Sequence, residues 1–171
     1  QPCEDDERLP GHRERHVLEV VLSCSFDSQV FLSIVFRHHT LVDEVVLALE
    51  ATMRIALLSD EPAPIHDFLQ RLLKERGHEV VPFGAIASGQ ECAWAPAAEE
   101  AALEIVEGSC QEGIFLCWTG TGISMAANKI AGIRAALCTD SETASGARVW
   151  NHANVLCLSN RTLNEADATG I

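Results

Sequence analysis

The sequence predicts an α/β protein in which a five-stranded parallel sheet is covered by helices on both faces. Five short apolar runs recur between residues 53 and 159, and segments with helical periodicity or helix-favouring composition separate them. The runs carry few charges, which is typical of strands buried on both faces, and the connections between them are short. The expected architecture is therefore a Rossmann-like three-layer αβα sandwich.

The first half of this domain is expected to form two strands and two helices. In order, we expect a buried strand over 54–59, a helix over 65–77, a strand over 79–84, an irregular loop over 85–95 and a helix over 96–108. Gly77 ends the first helix as a C-cap, and Pro96 opens the second. Pro82 indicates that the second strand lies at an edge of the sheet.

The second half repeats the alternation of strand and helix. In order, we expect a strand over 113–117, a helix over 124–131, a strand over 133–138, a helix over 142–150 and a strand over 154–159. Ligands of such sheets bind at the carboxyl ends of the strands. Asp60, Cys117, Asp140 and the loop after Ser159 are therefore expected at one rim.

Residues 1–52 differ in character from the rest of the chain. They begin with a cluster of charges, continue with an apolar stretch over 17–36, and include a possible short helix over 40–50. The first methionine, Met53, directly precedes the first strand. We therefore expect a functional domain over 53–171 and an N-terminal extension of unclear structure over 1–52.

Composition excludes several classes of function. The net charge of −13 argues against nucleic acid as a main partner, although one local cradle can still hold a small anion. The seven cysteines are odd in number and scattered without a C-x-x-C pair, which favours reduced thiols in a cytoplasmic protein over a disulfide framework or a metal site. No uncharged apolar run reaches ~18 residues, so no membrane span is expected.

The stretch from Ile114 to Ala131 carries the strongest functional signal. It joins an apolar strand, the turn Thr-Gly-Thr-Gly and a helix N-terminus, whose free N–H groups form a cradle for an anion. Cys117 ends the strand beside that turn, where the same positive field favours its thiolate. Cys117 is thus a candidate base or nucleophile; alternatively, it merely ends a buried strand.

Two longer stretches carry a family resemblance. GIFLCWTGTGISMAANKIAGIRAALC, followed by ARVWNHANVLCLSNR, resembles the type B ribose-5-phosphate isomerases and the galactose-6-phosphate isomerase subunits, and the likeness runs from Met53 to about Arg161. The family interconverts aldose and ketose phosphates through a cis-enediol, with no metal or nucleotide cofactor. The resemblance also implies a homodimer with shared active sites.

The resemblance assigns roles to individual residues. It implies that Cys117 is the base that moves a proton between C1 and C2, that Thr119 lines the site, and that Asp60 contacts the sugar. Asn151 is implied to bind the substrate, and Arg161 to contribute to the phosphate site. The developing enediolate is implied to be held by the backbone amides of Gly120, Thr121, Gly122, Ile123 and Ser124.

Four positions depart from the family pattern. Glu61 stands where a histidine usually follows the aspartate, Ala95 stands where a tyrosine usually precedes the proline, and Trp118 replaces a glycine of the cradle. Trp150 occupies the place of the histidine that opens the sugar ring, and His152 is the candidate to replace it. Glu61, Trp118 and Trp150 are still expected to line the substrate site. The family's long C-terminal helix, with its phosphate-binding arginines, is not recognised in the sequence.

Three functional hypotheses are compatible with the sequence. The first is an aldose–ketose isomerase that acts on a pentose or hexose, or on its phosphate. The second is a catalytically degenerate family member that binds a sugar or a protein partner without turnover. The third is a cysteine-dependent phosphatase, which would also place a thiolate beside an anion-binding loop. The phosphate-binding loop of such an enzyme needs an arginine six residues after the cysteine, and in this sequence Ile123 stands there.

Overall fold

The structure is a computed structural model that describes residues 52–171. The expected N-terminal extension, up to residue 51 and including the helix over 40–50, lies outside the described residues, and the division of the chain at Met53 stays a prediction. The elements are β1 (Arg54–Ser59), α1 (Ile65–Glu75), β2 (Glu79–Gly84), α2 (Ala85–Ser88), α3 (Trp94–Val106), β3 (Glu112–Cys117), α4 (Thr121–Ala127), β4 (Ala135–Leu137), α5 (Ser141–Asn151), β5 (Val155–Ser159) and α6 (Glu165–Gly170).

The five strands form one parallel sheet in the order β2-β1-β3-β5-β4. The strand that contains Pro82 lies at an edge, as its proline indicates. From β1 the chain adds β2 on one side and β3 on the other, so the winding reverses between β1 and β3. Side chains that follow these two strands border the crevice in which open α/β sheets bind ligands.

Two hydrophobic cores lie on opposite faces of the sheet. Ala56 and Leu58 of β1 pack in the core that includes α3 and α4, whereas Ile55 and Leu57 pack in the core that includes α1, α5 and α6. This alternation follows from the two-residue period of a strand. The predicted three-layer αβα sandwich is therefore confirmed.

The short side chains of α3 bring that helix close to the sheet. Its buried face consists mostly of alanines: Ala97, Ala98, Ala101 and Ala102. Phe115 of β3 is fully buried in the same core, where small helix residues leave room for its ring. Cys117 also belongs to this core, so its side chain lies on the α3–α4 face of the sheet.

The helices differ more than the strands from the sequence-based expectation: α4 ends at Ala127 rather than 131, and α6 was not expected. Helix α2 occupies part of the expected loop over 85–95, between Gly84 at φ 57° and Gly89 at φ 72°. Helix α3 begins two residues before Pro96, which is tolerated there because first-turn N–H groups lack helical partners. Helix α4 begins at Thr121, three residues early, because Gly120 at φ 75° turns the chain sharply.

A buried ion pair lies at the amino edge of the sheet, opposite the expected site. Arg148 Nη2 of α5 lies 2.9 Å from Glu112 Oε1 of β3, and each side chain is 11% exposed. Arg148 Nη1 also donates to the Ala153 carbonyl at 2.7 Å. Burial raises the pKa of Glu112 to about 7, because desolvation outweighs the attraction of the guanidinium.

Candidate active site

Three sequence-predicted residues lie at the carboxyl edge of the sheet. Cys117 is the last residue of β3, and it pairs with Ser159 at the end of β5. Ser59 ends β1 opposite Leu116, so Asp60 follows one step beyond the same edge. Arg161 follows β5 by two residues, and its amide donates to the Trp118 carbonyl at 3.2 Å. The structure therefore brings the carboxylate, the thiol and the arginine to one rim.

The cradle depends on a glycine at its first bend. Gly120 adopts φ 75°, and a Cβ there would lie 2.5 Å from Leu137 Cδ1 and 2.9 Å from the Leu158 carbonyl oxygen. The Gly120 amide donates to the Cys117 carbonyl at 3.2 Å and closes the turn. Only glycine fits this bend, which places the start of α4 directly beside the end of β3.

Not all of the predicted cradle amides are free to bind a ligand. The Gly120 amide donates to the Cys117 carbonyl, and the Ser124 amide donates to the Gly120 carbonyl at 3.2 Å. The amides of Thr121, Gly122 and Ile123, in the first turn of α4, have no backbone acceptor among the described residues. These three groups are thus the ones available to hold an oxyanion.

The hydroxyl groups of the cradle are partly engaged. Thr119 Oγ1 and Thr121 Oγ1 lie 2.6 Å apart, and Ser124 Oγ donates to the Thr121 carbonyl at 2.9 Å. The two threonines are exposed, so either hydroxyl can also meet a ligand. Trp118, 57% exposed, stands just before them at the entrance.

Cys117 is held firmly at the base of the cradle. It is 5% exposed, and its carbonyl oxygen accepts the amides of Gly120 and Asn160, at 3.2 and 3.0 Å. Two hydrogen bonds to one carbonyl fix the backbone that carries the sulfur. A thiol in a fixed position next to free amides satisfies the geometric need of a base that works beside an oxyanion site.

Asp60 carries an unsatisfied oxygen. Its Oδ1 is buried and has no hydrogen-bond partner among the described residues. Burial, followed by the nearby Glu61 carboxylate and then Glu91, raises the pKa of Asp60 above its ordinary value. A buried acceptor without a donor is a position where a ligand hydroxyl fits.

Trp94 is a wall of the site that sequence reasoning missed. The backbone amide of Cys92 donates to the Asp60 carbonyl at 2.8 Å, which fixes the loop in front of α3 over the rim. Two residues later, the Trp94 indole lies 3.6 to 3.7 Å from the position that a Cβ atom would take at Gly122. The Trp94 side chain is 44% exposed. An indole face next to the cradle suits contact with a sugar. Its signal in the sequence is an aromatic residue two positions before Pro96.

Asn160 and His66 were also missed. The Asn160 side chain bonds to His66 Nε2 at 3.0 Å and to Glu61 Oε1 at 3.2 Å. His66 is 5% exposed, and 94 positions separate it from Asn160. No local pattern connects two polar residues so far apart in sequence.

Trp150, Asn151 and His152 lie at the opposite edge of the sheet. They end α5, which returns the chain to the start of β5, and the Arg134 guanidinium near the start of β4 donates to the Asn151 carbonyl. A strand the length of β5 spans about 17 Å, at ~3.3 Å per residue. One copy of the chain therefore does not bring these three residues to Cys117. Trp150 is 79% exposed there.

Within residues 52–171, no cluster of three or more histidine, cysteine or acidic side chains is arranged to hold a metal ion. The five cysteines of this part of the chain are free thiols. None of its helices is both long enough and apolar enough to cross a membrane.

A doubly wound sheet with a thiol, a partly buried carboxylate and free helix amides at one rim defines a class of protein that binds small polar or anionic ligands. Comparison with known proteins identifies the family. The family model described as Ribose/Galactose Isomerase matches residues 55–171, and the chain belongs to that family. The expected identification as a type B-like sugar-phosphate isomerase is confirmed.

Individual relatives agree with this assignment. Ribose-5-phosphate isomerase B of Escherichia coli is 39% identical over 98 residues, which cover 57% of this chain and 64% of that protein. D-erythrulose-4-phosphate isomerase of Pectobacterium atrosepticum is 34% identical over 112 residues, 65% of this chain and 74% of that protein. The structure of the Trypanosoma brucei type B ribose 5-phosphate isomerase superposes with a TM-score of 0.64 at 38% identity, covering 70% of this chain and 81% of that one.

Proposed function

We propose that the protein is an aldose–ketose isomerase that acts on a sugar phosphate through a cis-enediol, with Cys117 as the base. The observation that carries the proposal is that Cys117, the unsatisfied Asp60 oxygen and the free amides of the first turn of α4 lie at the same rim of the sheet. An enediol route needs a base at carbon and a donor at the developing oxyanion, and this rim offers both.

The proposed steps balance without a cofactor. The Cys117 thiolate takes the C2 proton of an aldose, and the electron pair moves into the C1–C2 bond while the carbonyl electrons collect on O1. The amides of Thr121, Gly122 and Ile123 donate to O1. The thiol returns its proton to C1, and the O2 proton passes to O1, which leaves a ketose. Asp60 accepts a hydrogen bond from a substrate hydroxyl, and Arg161 is proposed to bind the phosphate.

The proposal includes a homodimer with shared sites. Trp150, Asn151 and His152 lie about 17 Å from the rim of their own chain, by the length of β5. A second copy that turns its amino edge toward this rim brings them to Cys117 of the first copy. In this arrangement Asn151 binds the substrate and His152 opens cyclic sugars.

The substrate is proposed to be one that needs little ring opening. Trp150 stands at the implied ring-opening position, and an indole donates one hydrogen bond but does not shuttle protons. The Pectobacterium atrosepticum relative is named for D-erythrulose 4-phosphate, a four-carbon ketose phosphate that cannot close a furanose ring. We therefore place tetrose phosphates beside ribose 5-phosphate as candidate substrates.

The alternative is a catalytically degenerate protein that binds a sugar or a partner without turnover. The Glu61 carboxylate favours this alternative, because a second negative charge beside Asp60 opposes phosphate binding. The two functions differ in one observable, which is the exchange of a carbon-bound proton.

Exchange with solvent deuterium tests the proposal. The protein is incubated in D2O with erythrose 4-phosphate, ribose 5-phosphate, galactose 6-phosphate and the unphosphorylated sugars, and deuterium at C1 or C2 is followed by NMR. We expect exchange with at least one phosphate, fastest with the tetrose. Binding without exchange across the whole panel would establish the degenerate alternative.

A further inference from the structure

The Asn160 side chain joins three elements at the carboxyl edge. Its Nδ2 lies 3.0 Å from Ser59 Oγ at the end of β1 and 3.2 Å from Glu61 Oε1 in the following loop. Its Oδ1 lies 3.0 Å from Nε2 of His66, which belongs to α1. Asn160 itself follows β5 directly. One amide therefore links the loop after β1, the first turn of α1 and the end of β5.

The direction of these hydrogen bonds is fixed by His66. The Ala63 amide donates to His66 Nδ1 at 3.2 Å, so Nε2 carries the hydrogen and donates to Asn160 Oδ1. The two hydrogens of Asn160 Nδ2 then face Ser59 and Glu61. The opposite orientation of the amide would set an oxygen against the Glu61 carboxylate and an N–H against the His66 N–H. Both contacts would be repulsive, so only one orientation fits.

The same residue also contacts the strand that carries the thiol. The Asn160 backbone amide donates to the Cys117 carbonyl at 3.0 Å. Glu61, held by the Asn160 side chain, stands next to Asp60, whose Oδ1 lacks a partner among the described residues. The backbone N–H of Asn160 thus contacts the residue that carries the candidate base, and the side-chain amide of Asn160 contacts the Glu61 carboxylate.

We propose that Asn160, oriented by His66, is a positioning residue of the isomerase site that holds the Glu61 carboxylate in place beside Asp60. This inference rests on the proposed function. With the amide in place, the two carboxylates present one fixed arrangement of acceptors to the substrate hydroxyls. Without it, Glu61 is free to turn into solvent, and the arrangement that the substrate meets becomes variable. Misplacement by about 1 Å can cost ~10²-fold in rate.

A matched pair of asparagines separates positioning from general stability. Asn154 flanks the other end of β5, is also partly buried, and makes two side-chain bonds at the amino edge, from the Arg134 amide at 2.8 Å and to the Gly132 carbonyl at 2.9 Å. We expect Asn160→Ala to lower kcat by roughly 10- to 100-fold with little change in KM. Asn154→Ala should lose stability to a similar degree and keep its kcat.

Two substitutions of His66 test the orientation of the amide. Gln places an N–H near the position of Nε2, whereas Asn places an acceptor near Nδ1 but does not reach Asn160. We expect His66→Gln to recover most of the kcat that His66→Asn loses. A role in packing alone would make the two variants equally active, which would count against the proposal.

Titration of Asp60 gives a readout that needs no turnover. The charged or titratable groups that raise the pKa of Asp60 are Glu61 and Glu91, and Cys92 faces it from the loop before α3. In a ¹³C-carboxyl NMR titration of the free protein, Asn160→Ala should lower the pKa of Asp60, because the released Glu61 repels its charge less. Asn154→Ala should leave that pKa unchanged.

The outcomes separate the two proposals. A lower pKa of Asp60 in Asn160→Ala, in a protein that exchanges no sugar proton at all, would show that Asn160 holds Glu61 beside Asp60 but would end the proposed function. Lower kcat and lower pKa together support both. If Asn160→Ala matches Asn154→Ala in the kcat and in the pKa of Asp60, the positioning role is wrong.

Discussion

At the residue scale, Gly120 shows how the cradle depends on the absence of one side chain. Other glycines also have a positive φ, but at Gly120, with φ 75°, a Cβ would also meet the Leu158 carbonyl oxygen at 2.9 Å. Gly108, at φ 82° after α3, has the same backbone region and nothing within 4 Å of its Cβ position. The two glycines therefore share a left-handed backbone conformation, but only Gly120 lies in a crowded place.

The difference in crowding predicts a difference in stability. Gly108→Ala should lower the free energy of unfolding by about 1 kcal/mol, the cost of a left-handed backbone for a side chain. Gly120→Ala should lower it by roughly 1 to 3 kcal/mol more, because the methyl group overpacks against fixed backbone. Urea unfolding of both variants measures the difference. Equal losses would mean that the bend relaxes and that the cradle does not require glycine.

At the element scale, β3 has a titratable side chain at each end. Cys117 lies at the carboxyl end, and Glu112 forms the buried pair with Arg148 at the amino end. Because the folded pKa of Glu112, about 7, is above its ordinary value of 4.5, the folded state binds a proton more tightly than the unfolded state. Between these two values the unfolded state loses its proton first, so the contribution of Glu112 to stability falls as pH rises.

The pH dependence of unfolding tests this behaviour of Glu112. The free energy of unfolding should fall by up to about 3 kcal/mol from Glu112 between pH 4.5 and 7, at 1.36 kcal/mol for each pH unit. Glu112→Gln keeps an acceptor for Arg148 and should remove that decline. Glu79→Gln, which neutralises the exposed pair that Glu79 forms with Arg54 at 3.1 Å, is the control and should change little. An unchanged slope in Glu112→Gln would show that another group causes the decline.

The elements show how far local sequence signals reach. All five strands were predicted to within two residues, because apolar runs between turn residues are a local signal. Helix α4 was placed three residues late, since its start depends on the left-handed backbone of Gly120. Helices α2 and α6 were missed because helices of four and six residues have too little periodicity to detect.

The candidate site was predictable where it follows from topology. Asp60, Cys117 and Arg161 meet because the carboxyl ends of parallel strands share an edge. The same rule puts the end of α5 at the other edge, so one copy of the chain does not bring Trp150 and its neighbours to Cys117. The contact between His66 and Asn160 was not predictable, because it depends on how α1 packs beside the end of β5.

At the scale of the whole molecule, the shared site predicts complementation between inactive variants. Cys117→Ser and Asn151→Ala damage opposite edges of one chain, so in a mixed dimer one site carries both changes and the other carries neither. Equal mixing, after unfolding and refolding together, should restore about a quarter of the wild-type activity, since half of the dimers are mixed and half of their sites are intact. Activity that stays at the level of the separate variants would rule out a shared site.

The proposed function depends above all on Cys117 as the group that transfers the carbon-bound proton, and its decisive test is solvent deuterium exchange in Cys117→Ser. Serine keeps the size and the position, but its hydroxyl is a far weaker base, so exchange into the best sugar phosphate should fall by ~10²- to 10⁴-fold while binding persists. Cys157→Ser is the control, because Cys157 is fully buried on the neighbouring strand β5 and away from the rim. Its exchange rate per folded molecule should equal that of the wild type. Undiminished exchange in Cys117→Ser would contradict the assignment of Cys117 as the base.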